Sequence, residues 1–304
     1  MSKVVTAIDK SGSFTVQLVI STDMTEEARR IHQTTPLATA ALGRVLTGAG
    51  LMALNLKNEE NKLTLQFKGD GPARQILATA YGDGRVKGYI SNPDVELPLR
   101  PDHHLDVGGA LGAGELTVIK DLGLKEPYIG RISLVSGEIA EDLTAYHYIS
   151  EQQNVSVALG VKIARDLSVL VSGGMIIRML PAAAEEAVDV LEKLLGEMGP
   201  LTAVIEKVML RSAGKSEEEV VCDLMDEIFA SLPSEFALEK LETKEIRWEC
   251  DCSRERLSQA LMTIGKKDLR EIIEEDGQAE LVCQFCEKKY FFDKDQLEEI
   301  YKQM

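Results

Sequence analysis

The chain has 304 residues, 44% of them hydrophobic, and a formal charge of −16, so it is long enough to bury a sizeable core and to divide into two or three domains. So negative a balance keeps the protein dissolved and repels nucleic acid and anionic membrane, and neither is expected as a partner. Met1-Ser2-Lys3-Val4 shows no basic-then-apolar leader, and five cysteines without an export signal point to the reducing cytoplasm, where metal binding or redox sensing is the expected use of thiols.

Val4 to Ile8 and Phe14 to Ile20 read as strands around Ser11-Gly12, the second with Phe14, Val16, Leu18 and Ile20 alternating. Thr22 or Asp23 is expected to cap a helix through Ile31. The most apolar run, Leu37 to Leu56, contains Arg44, Asn55 and many small residues, and reads as a buried helix after Pro36, not a membrane span. A strand is expected at Leu63 to Phe67 and a hairpin on Gly82-Asp83-Gly84, whose glycines suit a tight turn. Further strands fit Glu115 to Lys120, Gly130 to Val135, Val155 to Lys162 and Met175 to Leu180, with a helix near Ile139 to Ser150. This is an α+β layout: a mixed sheet-and-helix domain over residues 1–180.

Three features here invite an enzymatic reading and none completes one. Gly108 to Gly114 resembles a phosphate loop, but the strand-like Glu115-Leu116-Thr117-Val118-Ile119 follows where a helix N-terminus is needed. Glu138 and Asp142, four apart, are read as a solvated acidic face. His103-His104 lacks a third ligand. No catalytic residue is assigned, and the chain is expected not to be an enzyme.

Pro181 marks a change. Ala182 to Glu239 holds 14 acidic and 4 basic residues, yet Val188, Leu191, Leu195 and Met198 keep helical spacing, as do Leu201, Val204, Ile205 and Val208, and then Val220, Val221, Leu224, Met225 and Ile228. Ser216 with Glu219 makes a capping box for the third helix. Residues 181–239 are thus a helical linker or middle domain whose apolar stripes must rest on something. Cys222, on the third helix, reads as a small buried hydrophobe.

The remaining cysteines form two pairs, Cys250-Asp-Cys252 and Cys283-Gln-Phe-Cys286, in a small C-terminal module over residues 240–304. Four thiolates gathered by short loops favour Zn²⁺ over oxygen-seeking cations, so Cys250, Cys252, Cys283 and Cys286 are the expected ligands. Cysteines this close along the chain can also oxidise to disulfides, and a Cys-x-Cys ring is small and strained. A permanently metal-filled structural module, a nucleic-acid ribbon and a thioredoxin-like oxidoreductase are the alternatives. The ribbon is disfavoured by 12 basic against 16 acidic residues from Lys240 onward; the oxidoreductase lacks its strand-to-helix context. Two short helices are expected between the pairs, then a hairpin of Ala279 to Val282 and Lys289 to Phe292 carrying Cys283 and Cys286 in its turn, then a helix at Asp295 to Tyr301.

With these cysteine pairs stand Gly69-Asp70-Gly71-Pro72, Val86-Lys87-Gly88-Tyr89, Glu126-Pro127-Tyr128-Ile129-Gly130, Ser136-Gly137-Glu138-Ile139-Ala140-Glu141-Asp142, Ser150-Glu151-Gln152 and Gly173-Gly174-Met175. Together they resemble the redox-regulated heat-shock chaperone of 33 kDa found in bacteria, along the whole chain. The resemblance implies an ATP-independent holdase, inactive while reduced with one Zn²⁺ on the four cysteines. It implies activation by oxidation to Cys250–Cys252 and Cys283–Cys286 disulfides, with zinc release, opening of the zinc module and linker, homodimerisation, and binding of unfolding or oxidatively damaged client proteins. Residues 240–304 would then be a redox-switch domain. The contrasting expectation is a constitutive zinc-stabilised protein-binding module without redox control.

Overall fold

The computed structural model describes residues 1–304. Ser2–Asp9 (β1) and Phe14–Ile20 (β2) pair antiparallel as a hairpin with both faces covered, Val4 and Val19 on one side and Val5, Val16 and Leu18 on the other, and the Asp9 carboxylate accepts the Phe14 amide at 2.7 Å and the Ser11 amide at 3.0 Å across the turn. Thr22–His32 (α1) is not capped by Thr22 or Asp23. Its N-cap is Ser21, whose hydroxyl makes no cap bond because it lies 2.7 Å from Thr47 Oγ1 and 3.0 Å from Ser172 Oγ in a buried cluster. Tertiary hydroxyl bonding has displaced local capping.

Pro36–Ala53 (α2) starts on Thr35, which accepts the Ala38 amide at 3.4 Å, with proline in its first turn. It is long and apolar enough to cross a membrane, and 89% of it is buried inside the fold. Its small residues admit neighbours closely: a Cβ on Gly48 would lie 2.7 Å from Leu143 Cδ1, and one on Gly43 2.5 Å from Thr25 Cγ2.

Lys62–Gly69 (β3), Gln75–Tyr81 (β4) and Arg85–Ile90 (β5) follow, then the short Val107–Leu111 (α3), Gly114–Asp121 (β6), Tyr128–Ser133 (β7), Ala140–Glu151 (α4), Val155–Ile163 (β8) and Val169–Met179 (β9). Three helices, Glu185–Glu197 (α5), Leu201–Arg211 (α6) and Glu217–Phe229 (α7), lead to Leu238–Trp248 (β10). All ten strands form one sheet in the order β7-β6-β3-β4-β5-β10-β1-β2-β9-β8. One core gathers α2 with inward residues such as Leu65, Phe67, Ile76 and Val118. A second lies between α5–α7 and the β1, β2 and β9 residues Val5, Val16, Leu18, Met175 and Ile177. The apolar stripes of the acidic segment rest there, and the Ser216–Glu219 capping box is in place.

β10 moves a boundary. Six of its eleven residues are charged and only Ile246 is buried, so its sequence carries no strand period, yet it pairs antiparallel with β1 and, through Arg247 and Trp248, parallel with β5. Residues 240–248, grouped by sequence with the cysteine module, therefore lie in the large sheet, and the chain separates into compact units at Met1–Trp248 and Glu249–Met304.

The acidic pair at α4 is not a solvated face. Asp142 is fully buried, and its carboxylate accepts the amides of Val135 (2.7 Å), Ser136 (3.2 Å), Gly137 (3.3 Å) and Ile139 (3.0 Å). Those bonds hold Ile139 at φ 71°, a strained value for a β-branched residue. Glu138 is gripped by Arg44 (2.6 Å), Arg100 (3.1 Å) and the Gly108 amide (3.1 Å). Asp142→Ala leaves four donors without their acceptor, and charge-assisted bonds of this kind are worth about 1.5–3 kcal/mol each. We expect a loss on the order of 4 kcal/mol, read as a lower urea midpoint with unchanged slope; a midpoint within error of wild type would show the loop is held by other contacts.

Candidate metal centre

The unit Glu249–Met304 is built on Arg254–Thr263 (α8), Lys266–Glu275 (α9), the hairpin Gln278–Val282 (β11) and Lys289–Asp293 (β12), and Lys294–Gln303 (α10). Its core is small: Leu261, Leu269, Ile273, Tyr290, Phe292, Leu297 and Ile300. A module this size has little apolar burial to hold it and commonly needs a metal or crosslink.

Cys250 and Cys252 precede α8, which Ser253 caps by accepting the Arg256 amide at 3.3 Å. Arg256 also donates to the Asp251 carbonyl (3.1 Å) and pairs with its carboxylate, so the residue between the two cysteines is tied down. The other pair sits in the β11–β12 turn. The Cys286 and Glu287 amides donate to the Cys283 carbonyl at 3.3 and 2.8 Å, the Cys283 amide to the Lys288 carbonyl at 3.0 Å, and Glu287 takes φ 57° to close the knuckle.

The four Sγ atoms all lie within 4.8 Å of one another. Two approaches run between the pairs, Cys252–Cys286 at 3.4 Å and Cys250–Cys283 at 3.7 Å. Tetrahedral zinc, with Zn–S near 2.3 Å, requires sulfurs about 3.8 Å apart, so this set fits a thiolate-held ion. Burial pushes the Cys250 thiol well up and the Cys286 thiol up to about 11. At Cys252 burial acts the same way, but hydrogen bonds led by the Tyr290 hydroxyl outweigh it and bring that thiol below its ordinary value. Thiols that resist ionising alone lose their protons to a divalent cation. The four cysteines could hold a metal ion, and an all-sulfur tetrahedron suits zinc.

Tyr290 is the site residue that sequence spacing does not reveal. Its hydroxyl lies 3.2 Å from Cys252 Sγ and donates to the Cys252 carbonyl at 3.1 Å, an outer-shell contact that orients a ligand. Its signal is the strand period, which turns Tyr290 and Phe292 to the same buried side of β12.

The other sequence candidates lie in the first unit, separate in the chain from the cysteines. Of Gly108–Gly114, the first four residues lie in the short α3 and Gly114 opens β6, as the strand-like residues after it require. His104 Nδ1 stands 3.3 Å from the Asp102 carboxylate in an exposed turn, with His103 beside it. Cys222 is half-buried on α7, and burial pushes its thiol up.

A family described as "Hsp33 protein" matches residues 2–293. The chain is 43% identical over 303 residues to the 33 kDa chaperonin of Clostridium tetani, covering 99% of this chain and 98% of that one. It is 45% identical over 282 residues to the 33 kDa chaperonin of Agathobacter rectalis, 93% of each. The crystal structure of the 33 kDa chaperonin from Thermotoga maritima superposes with a TM-score of 0.84 at 34% identity, over 99% of this chain and 98% of that one.

Proposed function

The chain belongs to the Hsp33 family of chaperones, and from that premise we propose that it is an ATP-independent holdase switched by oxidation of Cys250, Cys252, Cys283 and Cys286. The observation that carries the switch is the gathering of four sulfurs within 4.8 Å in a module with little other core. In the reduced state these cysteines hold one Zn²⁺, which supplies folding free energy, about 10–16 kcal/mol apparent in small zinc peptides. A peroxide-class oxidant removes the ligands: two thiols and one H₂O₂ give one disulfide and two waters, and two such steps give Cys250–Cys252 and Cys283–Cys286. Both bridges require the sulfurs to rearrange, since a disulfide is about 2.05 Å long.

Loss of the metal then shifts a population. Moving an equilibrium from mostly closed to mostly open takes about 5.5 kcal/mol, well within what loss of a zinc site removes. The helices α5, α6 and α7 have 13, 11 and 13 residues, too short to stand without packing, and only a single 3-10 turn at Ser234–Phe236 and β10 separate them along the chain from the cysteine module. Their release uncovers the apolar face of β1, β2 and β9 to unfolded clients and to a second copy of the chain. The reducing cytoplasm keeps the switch closed until oxidant arrives.

The test measures zinc content together with suppression of a heat-unfolding client's aggregation, before and after peroxide at raised temperature. We expect about one zinc per chain to leave as suppression appears, and reductant with zinc to restore the closed form. Equal suppression before and after, or suppression that disappears with the zinc, leaves a constitutive zinc-stabilised binding module and removes the redox claim.

A further inference from the structure

The ten-stranded sheet has two ends, β7 and β8, and they are built differently. β8 is guarded. Its Val157 amide donates to the Thr144 hydroxyl of α4 at 3.1 Å, and a register shift between Lys162 and Ile163 interrupts the ladder. Covers and bulges of this kind stop an edge from pairing with other chains.

On β7, α4 packs against one face, where a Cβ on Gly130 would meet Ser150 Oγ at 2.6 Å, but no helix hydroxyl and no bulge takes its outward main-chain groups, and its register fixes what it presents. Leu134 donates to the Gly114 carbonyl at 2.9 Å, and bonded and non-bonded pairs alternate along an antiparallel ladder. The pairs bonded to β6 are therefore Ile132–Leu116, Gly130–Val118 and Tyr128–Lys120. The N–H and C=O groups of Ile129, Arg131 and Ser133 point away from β6, where no further strand lies. Past Ser133 the edge closes, because Asp142 takes the Val135 amide. Gly130 and Ile132 face the core, while Ile129 is 49% exposed.

We propose that β7 is a docking edge for an extended segment of an unfolded protein, added as an eleventh strand; this rests on the chaperone reading and names where part of the client binds. The unpaired main-chain groups require an extended backbone as occupant. A second copy of this chain is the rival, and charge decides against it. The antiparallel register that pairs Ile129, Arg131 and Ser133 with the same residues of a copy sets Arg131 opposite Arg131, and like charges directly opposed are destabilising. The Arg131 side chain is 62% exposed, and its ion pair with Glu115 is long, at 3.8 Å. A foreign segment with an apolar residue against Ile129 and an acidic one against Arg131 meets no such penalty. Three residues of edge make a weak anchor alone, so this edge acts together with the apolar face under α5–α7, each raising the local concentration of segment at the other.

The test uses the oxidised full chain and a soluble peptide alternating valine and threonine around a central aspartate, read by residue-resolved amide hydrogen exchange. The Ile129, Arg131 and Ser133 amides are expected to slow by about tenfold or more with the peptide, and not with the same peptide N-methylated at alternate residues. Arg131→Pro removes an outward donor without touching the β6 ladder, a position where an edge strand tolerates proline, and should abolish that protection. Arg131→Glu keeps the donor and should instead favour a peptide with lysine at the centre. If oxidised protein suppresses aggregation while the three amides stay unprotected, the edge assignment falls and the chaperone reading stands. If the amides become protected on raising protein concentration without peptide, the edge pairs with itself and the assigned occupant is wrong. Absence of suppression by the wild-type chain overturns the chaperone reading, and with it the assignment of this edge to clients.

Discussion

Cys283→Ser is expected to unfold residues 249–304 while leaving the large sheet intact. Cys283 is the most buried of the four cysteines, at 7% exposure, and its carbonyl closes the knuckle by accepting the Cys286 and Glu287 amides. Serine keeps that backbone but offers a hard oxygen in place of a soft thiolate, so the site loses a ligand of the type zinc selects. Loss of even half of the roughly 10–16 kcal/mol apparent in zinc peptides exceeds what the seven buried residues of this core can replace. In hydrogen exchange the amides of β11 and β12 should lose nearly all protection, while those of β3, β4 and β6 keep theirs. The variant should also suppress aggregation without oxidant, since it begins where oxidation ends. Retained protection in β11 and β12 without bound metal would show that apolar packing suffices and that zinc is incidental to folding.

How much of this is legible in the residues depends on whether the informative contact is local. β2, α2, the three acidic helices and the β11–β12 hairpin all lie where periodicity puts them, because each carries its burial pattern in its own sequence. β10 does not: its strand conformation is imposed by β1 and β5, and its six charges look like solvent-facing residues until the partners are known. β9 begins at Val169, six residues before the expected Met175, for the same reason: its first half is held by β8 and not by any alternation of its own. At the cysteine site, spacing alone names four residues, and the structure brings their sulfurs together. Tyr290 and the Arg256–Asp251 pair are not legible, since each acts across a turn whose register the sequence leaves open. Asp142 defeats a sequence reading for a further reason: four backbone donors converge on it from a loop, and backbone donors leave no mark in a sequence.

Leu224→Asp should separate the binding surface from the switch that covers it. Leu224 is fully buried on α7, in the core that joins α5–α7 to β1, β2 and β9. A carboxylate there has no cation within that apolar set, and burying an unpaired charge costs on the order of 4 kcal/mol or more. The chain avoids that cost by lifting α7 away, and two neighbouring helices of 13 and 11 residues have too few other contacts to stay in place. The four cysteines lie in the other compact unit, so the variant should keep its zinc and reduced thiols. We expect it to suppress aggregation constitutively, with rapid amide exchange over residues 185–229 and undiminished protection in β11 and β12. Zinc retained, helices open and suppression still absent would mean that the face beneath α5–α7 is not where clients bind. In that event clients would bind at the β7 edge or on the cysteine module itself, and the acidic helices would be only a cover for the sheet.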